Sequence, residues 1–177
     1  MKKYVLLTAI GPDRPGLVNE VSAYLARNGL NIESSRMAVL GGEFAIITLV
    51  SAEGEAADRL LADAATIAGE TGLQVFLKPT IAPDQRAQAA SVPYRLVAAG
   101  MDHQGIVHEL SRELHRNQVN IESLQTRVEP APVSGTPIFT MEASVAVPAA
   151  VKIRDLRRAL LDIGDALNVD IEFEPEA

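Results

Sequence analysis

The chain contains no cysteine and no tryptophan, and aromatic residues make up only 4% of it. Without cysteine the protein can form no disulfide, has no thiolate nucleophile and cannot bind a metal through cysteine, a composition that fits a reducing compartment. Hydrophobic residues nevertheless reach 47%. Any core must therefore be built from valine, isoleucine, leucine and alanine rather than from large rings.

A surplus of basic charge is also lacking, because 16 lysine and arginine residues stand against 23 acidic ones, for a net charge of −7. A protein that binds DNA directly normally presents a basic face to the phosphates. The most basic segment, 152–158, is interrupted by Asp155 and lies on a predicted helix. It is interpreted as a solvated helix face, and we predict no direct contact with nucleic acid.

No run of the sequence reaches the roughly 20 apolar residues that span a bilayer. The apolar start, 3–10, ends at Gly11 and Pro12 without the small-residue cleavage site of a signal peptide. Because a similar run recurs at 94–99, this start is predicted to be a strand. We expect a cytoplasmic protein without membrane contact.

What the sequence does contain is an internal repeat. Segment 13–18 (DRPGLV) returns as 102–107 (DHQGIV), and 31–34 (NIES) returns unchanged as 120–123. Both pairs are offset by 89 residues, so no gap separates the two motifs within a copy. The chain is therefore predicted to be one small module used twice.

The predicted boundaries are a first domain at 1–80, a polar linker at 81–92 and a second domain at 93–177. Each copy predicts the order strand, helix, strand, strand, helix, strand from its apolar periodicity and its glycine stops. In the first copy the strands are predicted at 3–10, 31–40, 43–50 and 74–78 and the helices at 16–28 and 56–71. In the second copy the strands are predicted at 94–99, 120–128, 138–147 and 170–173 and the helices at 105–117 and 151–167.

This βαββαβ order predicts an α+β fold of two ferredoxin-like modules, each with an antiparallel four-stranded sheet and two helices on one face. The middle hairpin of the second copy, 129–137, is six residues longer and rich in proline. It is predicted to be a mobile or partner-contacting loop.

The predicted strand 43–50 is apolar on both sides, although helices can cover only one face of the sheet. Either the other half of the chain or another copy of the protein must cover the second face. We therefore expect the two halves to pack on each other, and we expect a homodimer.

The repeated loop has a chemistry suited to a small anion. Gly16 allows close approach of the backbone where the first amides of a helix are unpaired and the helix dipole is positive. We expect Asn31 to lie a few ångströms away, so that the two together would suit a free amino acid. The structural alternative is that Asp13 caps the helix and that Asn31 and Asn120 are turn residues.

The module order, the loop 11–18 (GPDRPGLV) and the segment 31–44 resemble the ACT domain, a small module that binds amino acids in many metabolic enzymes and regulators. More narrowly, they resemble the family of glycine cleavage system transcriptional repressors, which carry two ACT domains. That resemblance implies control of transcription through a DNA-binding regulator protein, with glycine or a similar small amino acid altering the complex.

In ACT domains the ligand lies where two modules meet, against the loop after the first strand. By position the resemblance therefore implies these ligand-binding residues: Gly11, Asp13, Arg14, Pro15, Gly16, Leu17, Asn31, Ile32, Asp102, His103, Gln104, Gly105, Ile106, Asn120 and Ile121. Because His103 and Gln104 replace Arg14 and Pro15, the second site is expected to differ in selectivity.

No catalytic motif assembles from the sequence, so the protein is predicted not to be an enzyme and to use no cofactor. His108 and His115 lie seven residues apart on one predicted helix, which is too far for a helical pair of metal ligands. An ACT tandem without ligand, serving as a dimerisation or docking module, remains an alternative. A regulatory part of a folate-related enzyme is another, since formyltetrahydrofolate deformylase begins with a similar segment.

Overall fold

The computed structural model describes residues 2–85 and 90–176, and the chain divides into two compact units, Met1–Ala87 and Gln88–Ala177. Within the predicted linker 81–92, residues 86–89 lie outside the described residues. Pro83–Gln85 forms a single 3₁₀ turn, and the next strand already begins at Ser91.

The first unit has the predicted order of elements. It contains β1 (Lys2–Pro12), α1 (Leu17–Arg27), β2 (Asn31–Leu40), β3 (Glu43–Glu53), α2 (Ala56–Ala62), α3 (Ala64–Thr71) and β4 (Gln74–Thr80). The four strands form one antiparallel sheet in the order β2-β3-β1-β4, which is the ferredoxin-like arrangement.

The second helix of this unit was predicted to be continuous from 56 to 71, and that prediction was wrong. Helix α2 ends at Ala62, and Asp63 leaves helical geometry at φ −110° and ψ 19° before α3 begins. The Asp63 carboxylate accepts a hydrogen bond from the Tyr24 hydroxyl of α1. Aspartate is a poor residue for a helix interior, and its hydrogen bond to Tyr24 lies at the break.

The second unit repeats the fold with an unbroken second helix. It contains β5 (Ser91–Met101), α4 (Ile106–Arg116), β6 (Asn120–Pro130), β7 (Pro137–Pro148), α5 (Ile153–Leu167) and β8 (Val169–Pro175), and its sheet order is β6-β7-β5-β8. The predicted α+β class with two ferredoxin-like modules is therefore confirmed.

The long hairpin of the second unit is closed by its own backbone. The Ala131 amide donates to the Thr136 carbonyl at 2.8 Å, and the Gly135 amide donates to the Ala131 carbonyl at 2.9 Å. Val133 at its tip is 100% exposed. The loop is thus an internally bonded turn with an apolar tip.

Each sheet packs one face against its own helices, and both cores are mainly aliphatic. In the first unit Leu7 and Leu25 are buried, and in the second Leu96, Leu110 and Leu160 are. Among the described residues no helix is long and apolar enough to cross a membrane.

The two sheets differ on the faces that point away from their helices. Strand alternation places Ile10, Ile47 and Phe76 on this outer face of the first sheet, and Phe76 is 64% exposed. The same rule places Glu142 and Glu172 on the outer face of the second sheet, on either side of β5. One outer face is thus largely apolar, and the other carries acidic side chains.

Candidate functional site

A surface cleft of about 470 Å³ lies between the start of α1 and the edge strand β2 in the first unit. It forms where β2 is exposed along its whole length while α1 buries Val21 and Leu25 in the core. The cleft is lined by Asp13, Arg14, Gly16, Leu17, Val18, Asn19, Ser22, Met37, Val39 and Phe44. Predicted site residues and unpredicted ones therefore share one cavity.

The walls of the cleft are apolar side chains that the core leaves uncovered. Met37 pairs with Ile46 and Val39 with Phe44 across the β2–β3 ladder, so all four point to the helix-facing side of the sheet. Met37 is 54% exposed and Val39 is 48% exposed. Val18 of α1 faces the same cavity and is 45% exposed.

The polar end of the cleft is the start of α1. Gly16 is the N-cap in a left-handed conformation, φ 99° and ψ −13°, which favours glycine, and no side chain caps the helix. The first intrahelical bond runs from the Glu20 amide to the Gly16 carbonyl. The amides that precede Glu20 in this first turn therefore have no partner within the helix, and the helix dipole adds partial positive charge there.

The alternative that Asp13 caps the helix was wrong, because the cap position belongs to Gly16. The Asp13 amide instead donates to the Gly42 carbonyl at 2.9 Å and ties the loop to the β2–β3 hairpin. In the second unit the Asp102 amide donates to the Pro137 carbonyl at 3.0 Å. Each loop is thus fixed against its neighbouring hairpin.

The Arg14 side chain is occupied by partners within the protein. Its guanidinium donates to both carboxylate oxygens of Glu20, at 2.6 and 2.5 Å, and to the Thr71 carbonyl at 3.0 Å. The hydrogen bonds from Arg14 hold the pKa of the Glu20 carboxyl below its ordinary value. Arg14 therefore fastens the loop to the end of α3.

His103 takes the place of Arg14 in the second unit. Its Nε2 lies 2.8 Å from the Leu167 carbonyl, and its Nδ1 lies 3.0 Å from the Gln104 carbonyl. These backbone carbonyls raise the pKa of the His103 imidazole, that of Leu167 most. Gly105 caps α4 at φ 100° and ψ −11°, so the two loops share one construction.

The expected closeness of Asn31 to the loop within one unit was wrong. Asn31 pairs with Ser51, which pairs with Tyr4, whereas the loop follows Gly11, which pairs with Phe44. Seven residues of β1 separate the two positions, or about 23 Å at the rise of a strand. Ile32, next to Asn31, lies at the same far end.

The second unit has the same separation. Asn120 pairs with Ala146, which pairs with Pro93, while the loop of this unit follows Gly100. Ile121 lies beside Asn120 at that far end. The expected pairing of the amide with the anion site is therefore absent inside either unit.

The repeated NIES motif forms a β-bulge. The register shifts between Ile32 and Ser34 in the first sheet and between Ile121 and Ser123 in the second. The extra residue in the first bulge is Glu33. The recurrence of the motif therefore has a structural reason at both places.

Glu33 is held by three polar neighbours. Its Oε1 lies 2.7 Å from Lys2 Nζ and accepts from the Ser51 hydroxyl at 2.5 Å and from Asn31 Nδ2 at 3.1 Å. The Lys2 hydrogen bond, followed by those from Ser51 and Asn31, lowers the pKa of the Glu33 carboxyl to about 2. Asn31 thus has a structural partner at this end of the sheet.

Sequence reasoning missed the apolar wall of the cleft. Val18, Met37, Val39 and Phe44 line the cavity but were not predicted as site residues. The alternation of Met37 and Val39 along β2 was the available signal. Within residues 2–85 and 90–176, no three side chains cluster in a way that could hold a metal ion.

Comparison with known proteins shows which family the first unit matches and which proteins the whole chain resembles. Residues 3–78 match the ACT domain family. The glycine cleavage system transcriptional repressor of Escherichia coli (strain K12) is 28% identical over 165 residues, covering 93% of this chain and 86% of that protein. The protein of the same name from Shigella flexneri aligns with the same values.

Two solved structures share the fold over both units. An unknown protein from Galdieria sulphuraria is 30% identical with a TM-score of 0.81, covering 100% of both chains. A second structure is 22% identical with a TM-score of 0.71, covering 99% of this chain and 98% of the other. The first unit is therefore an ACT domain, and the chain resembles glycine cleavage repressors over most of its length.

Proposed function

We propose that this ACT-domain protein is a cytoplasmic, amino-acid-sensing regulator of transcription that acts through a DNA-binding protein partner and is not itself an enzyme. The proposal starts from the similarity to repressors named for the glycine cleavage system, which extends over 93% of the chain. The net charge of −7 supports action through a protein rather than direct contact with DNA.

The observation that carries the proposal is the cleft at the start of α1. The first-turn amides of Leu17 and Val18 can donate to a carboxylate, because N–H groups and the helix dipole both favour an anion there. Asp13 lines the same cavity and supplies a carboxylate for an ammonium group. One cleft thus offers partners to both charges of a zwitterion.

The size of the ligand limits its affinity. Glycine has five heavy atoms, so a ceiling of about −1.5 kcal/mol per atom corresponds to roughly −7.5 kcal/mol, a micromolar dissociation constant at best. Weak binding of this kind suits a sensor that responds to changing metabolite levels. A titration must therefore extend to millimolar amino acid.

The partner surfaces are proposed from exposure and chemistry. The apolar outer face of the first sheet, including Ile47 and Phe76, is proposed to meet the same face of a second copy in a homodimer. The hairpin tip at Val133 is proposed to contact the regulator protein. The proposed dimer contact lies on the outer face of the first sheet, whereas the cleft beside α1 lies on the helix-facing side, so the contact would leave the cleft accessible.

An ACT tandem that only docks to partners is the competing function. The occupation of Arg14 by Glu20 and Thr71 favours it, since this cation is not free to bind a ligand carboxylate. Isothermal titration of the full chain with glycine, serine and larger amino acids distinguishes the two functions. Heat of binding supports the sensor, and flat traces at millimolar ligand leave only the docking module.

The site is tested by a matched pair of variants. Gly16→Val places a β-branched side chain at the left-handed N-cap beside the cleft, where φ is 99°. Gly105→Val makes the same change in the second unit, where φ is 100°. Loss of binding in Gly16→Val but not in Gly105→Val supports the first cleft as the site. Binding that survives in Gly16→Val shows that the ligand lies elsewhere.

A further inference from the structure

We infer that the cleft beside α1 selects amino acids with an apolar side chain, such as leucine, isoleucine, valine and methionine, over glycine. This inference rests on the proposed amino-acid site and specifies its ligand. Three features of the cleft support this selectivity: its volume, its exposed walls and the polar groups that line it.

The cleft is too large for glycine alone. Five heavy atoms occupy about the space of five liquid waters, or roughly 150 Å³, whereas the cavity measures about 470 Å³. A glycine bound at the amides of α1 would leave most of the cleft to water. A side chain of three or four further heavy atoms would extend into that remaining space.

The walls that such a side chain would meet are apolar and exposed to solvent. Val18 lies on α1, and Met37 and Val39 lie on alternate positions of β2, all about half exposed. The buried ring of Phe44 forms part of the same lining. An aliphatic ligand group would remove these surfaces from water, which glycine cannot do.

Two polar side chains of the cleft, those of Ser22 and Arg14, already have partners within the protein. The Ser22 hydroxyl already donates to the Asn19 carbonyl at 3.1 Å. The Arg14 guanidinium is held by Glu20 and Thr71. The side chains of Asp13 and the exposed Asn19 remain, and Asp13 is the proposed partner of the ligand ammonium.

The second unit offers a built-in comparison. Val128 pairs with Phe139 as Val39 pairs with Phe44, and the two valines are 53% and 48% exposed. Thr126 pairs with Met141 in the place where Met37 pairs with Ile46. The wall of the second unit is therefore more polar at one position and identical at the other.

The test is isothermal titration of the full chain with glycine, valine, leucine, methionine and serine. Each methylene moved from water into an apolar site raises affinity by up to about fourfold, so leucine and methionine are expected to bind at least about tenfold more tightly than glycine. Glycine binding as tightly as leucine overturns the inference but leaves the proposed sensor intact. If none of the five binds, both the inference and the sensor fail.

Variants in the wall provide the second measurement. Val39→Ser is expected to lower the affinity for leucine about fivefold or more and to leave the affinity for glycine unchanged. Val128→Ser is expected to leave both affinities unchanged. Met37→Thr, which copies the second unit, should weaken leucine in the same direction and serves if Val39→Ser does not fold. Equal losses in the Val39 and Val128 variants, or equal losses for glycine and leucine, overturn the inference.

Discussion

The Nε2 atom of His103 lies 2.8 Å from the Leu167 carbonyl, in the place where the Arg14 guanidinium donates to the Thr71 carbonyl in the first unit. Both contacts tie the loop after the first strand to the end of the last helix. Since both ring nitrogens of His103 face carbonyl oxygens, only the doubly protonated imidazolium can donate to each. One unit thus has a permanently charged fastening, and the other has one that titrates.

We predict that the His103 fastening weakens as pH rises. The pKa of His103 is raised in the folded protein, so its contribution to stability is complete below the ordinary value of about 6.5 and is lost as pH rises through the higher folded-state value. Thermal unfolding of wild type and His103→Arg between about pH 5.5 and 8.5 measures this loss. The unfolding temperature of the wild type should decrease relative to that of His103→Arg as pH rises. Unfolding temperatures that change in parallel would contradict the prediction.

The Glu33 network predicts the opposite dependence on pH. The pKa of Glu33 is lowered to about 2 in the folded protein, so its contribution is present above its ordinary value of about 4.5 and is lost as pH falls towards 2. Glu33→Gln should therefore be less stable than wild type at neutral pH, and the difference should shrink on acidification. Glu122→Gln, in the corresponding bulge of the second sheet, is the control and should change stability less.

Thr48 predicts a stabilising substitution. Its side chain is buried on the helix-facing side of β3, and its hydroxyl is the buried side-chain oxygen without a hydrogen-bond partner in the part of the chain that the structure describes. Thr48→Val keeps the shape and removes the unsatisfied group, which should stabilise the protein by about 1 kcal/mol. Denaturant unfolding measures the change. Thr48→Ser keeps the hydroxyl and should give no gain.

Gly11 and Gly100 occupy equivalent positions in the two units, but we predict that alanine at each lowers folding stability by different amounts. A Cβ on Gly100 would lie 2.7 Å from the Asn168 carbonyl oxygen, a backbone atom, whereas on Gly11 it would meet Leu73 Cδ2 at 3.0 Å. Gly100→Ala should therefore destabilise by about 1–3 kcal/mol, because backbone must move. Gly11→Ala should cost less, since a leucine side chain can rotate away. Equal unfolding midpoints for the two variants would show that the β5 end yields as easily as the β1 end.

Most of the fold could be predicted because local signals agreed with one another. Gly29 and Gly72 mark the ends of helical segments, and Gly41 with Gly42 marks the first hairpin. The break at Asp63 could not be predicted, because the apolar periodicity of 56–71 continues across it. Its tertiary partner, the Tyr24 hydroxyl, lies 39 residues away in the chain.

The candidate site was predicted less completely. The loop at Gly16 was found from the repeat, but Asn31 was placed beside it, although a helix that returns along the sheet delivers the next strand to the opposite end. Topology alone could have corrected this. The wall at Met37 and Val39 was not predicted, because their alternation along β2 indicates one face of a strand, and only the structure shows that this face stays exposed beside α1.

The unlike outer faces of the two sheets have a consequence for assembly. Pressing Phe76 of one chain against Glu172 of another, or against the ion pair of Glu142 with Arg95, would remove water from charged groups without offering them a polar partner. Under the proposed dimer, apolar face meets apolar face about a two-fold axis, and such an isologous contact is used up once it forms. Because only the first of the two sheets in each chain carries the apolar outer face, the proposed contact joins two chains as a pair and does not extend into a filament.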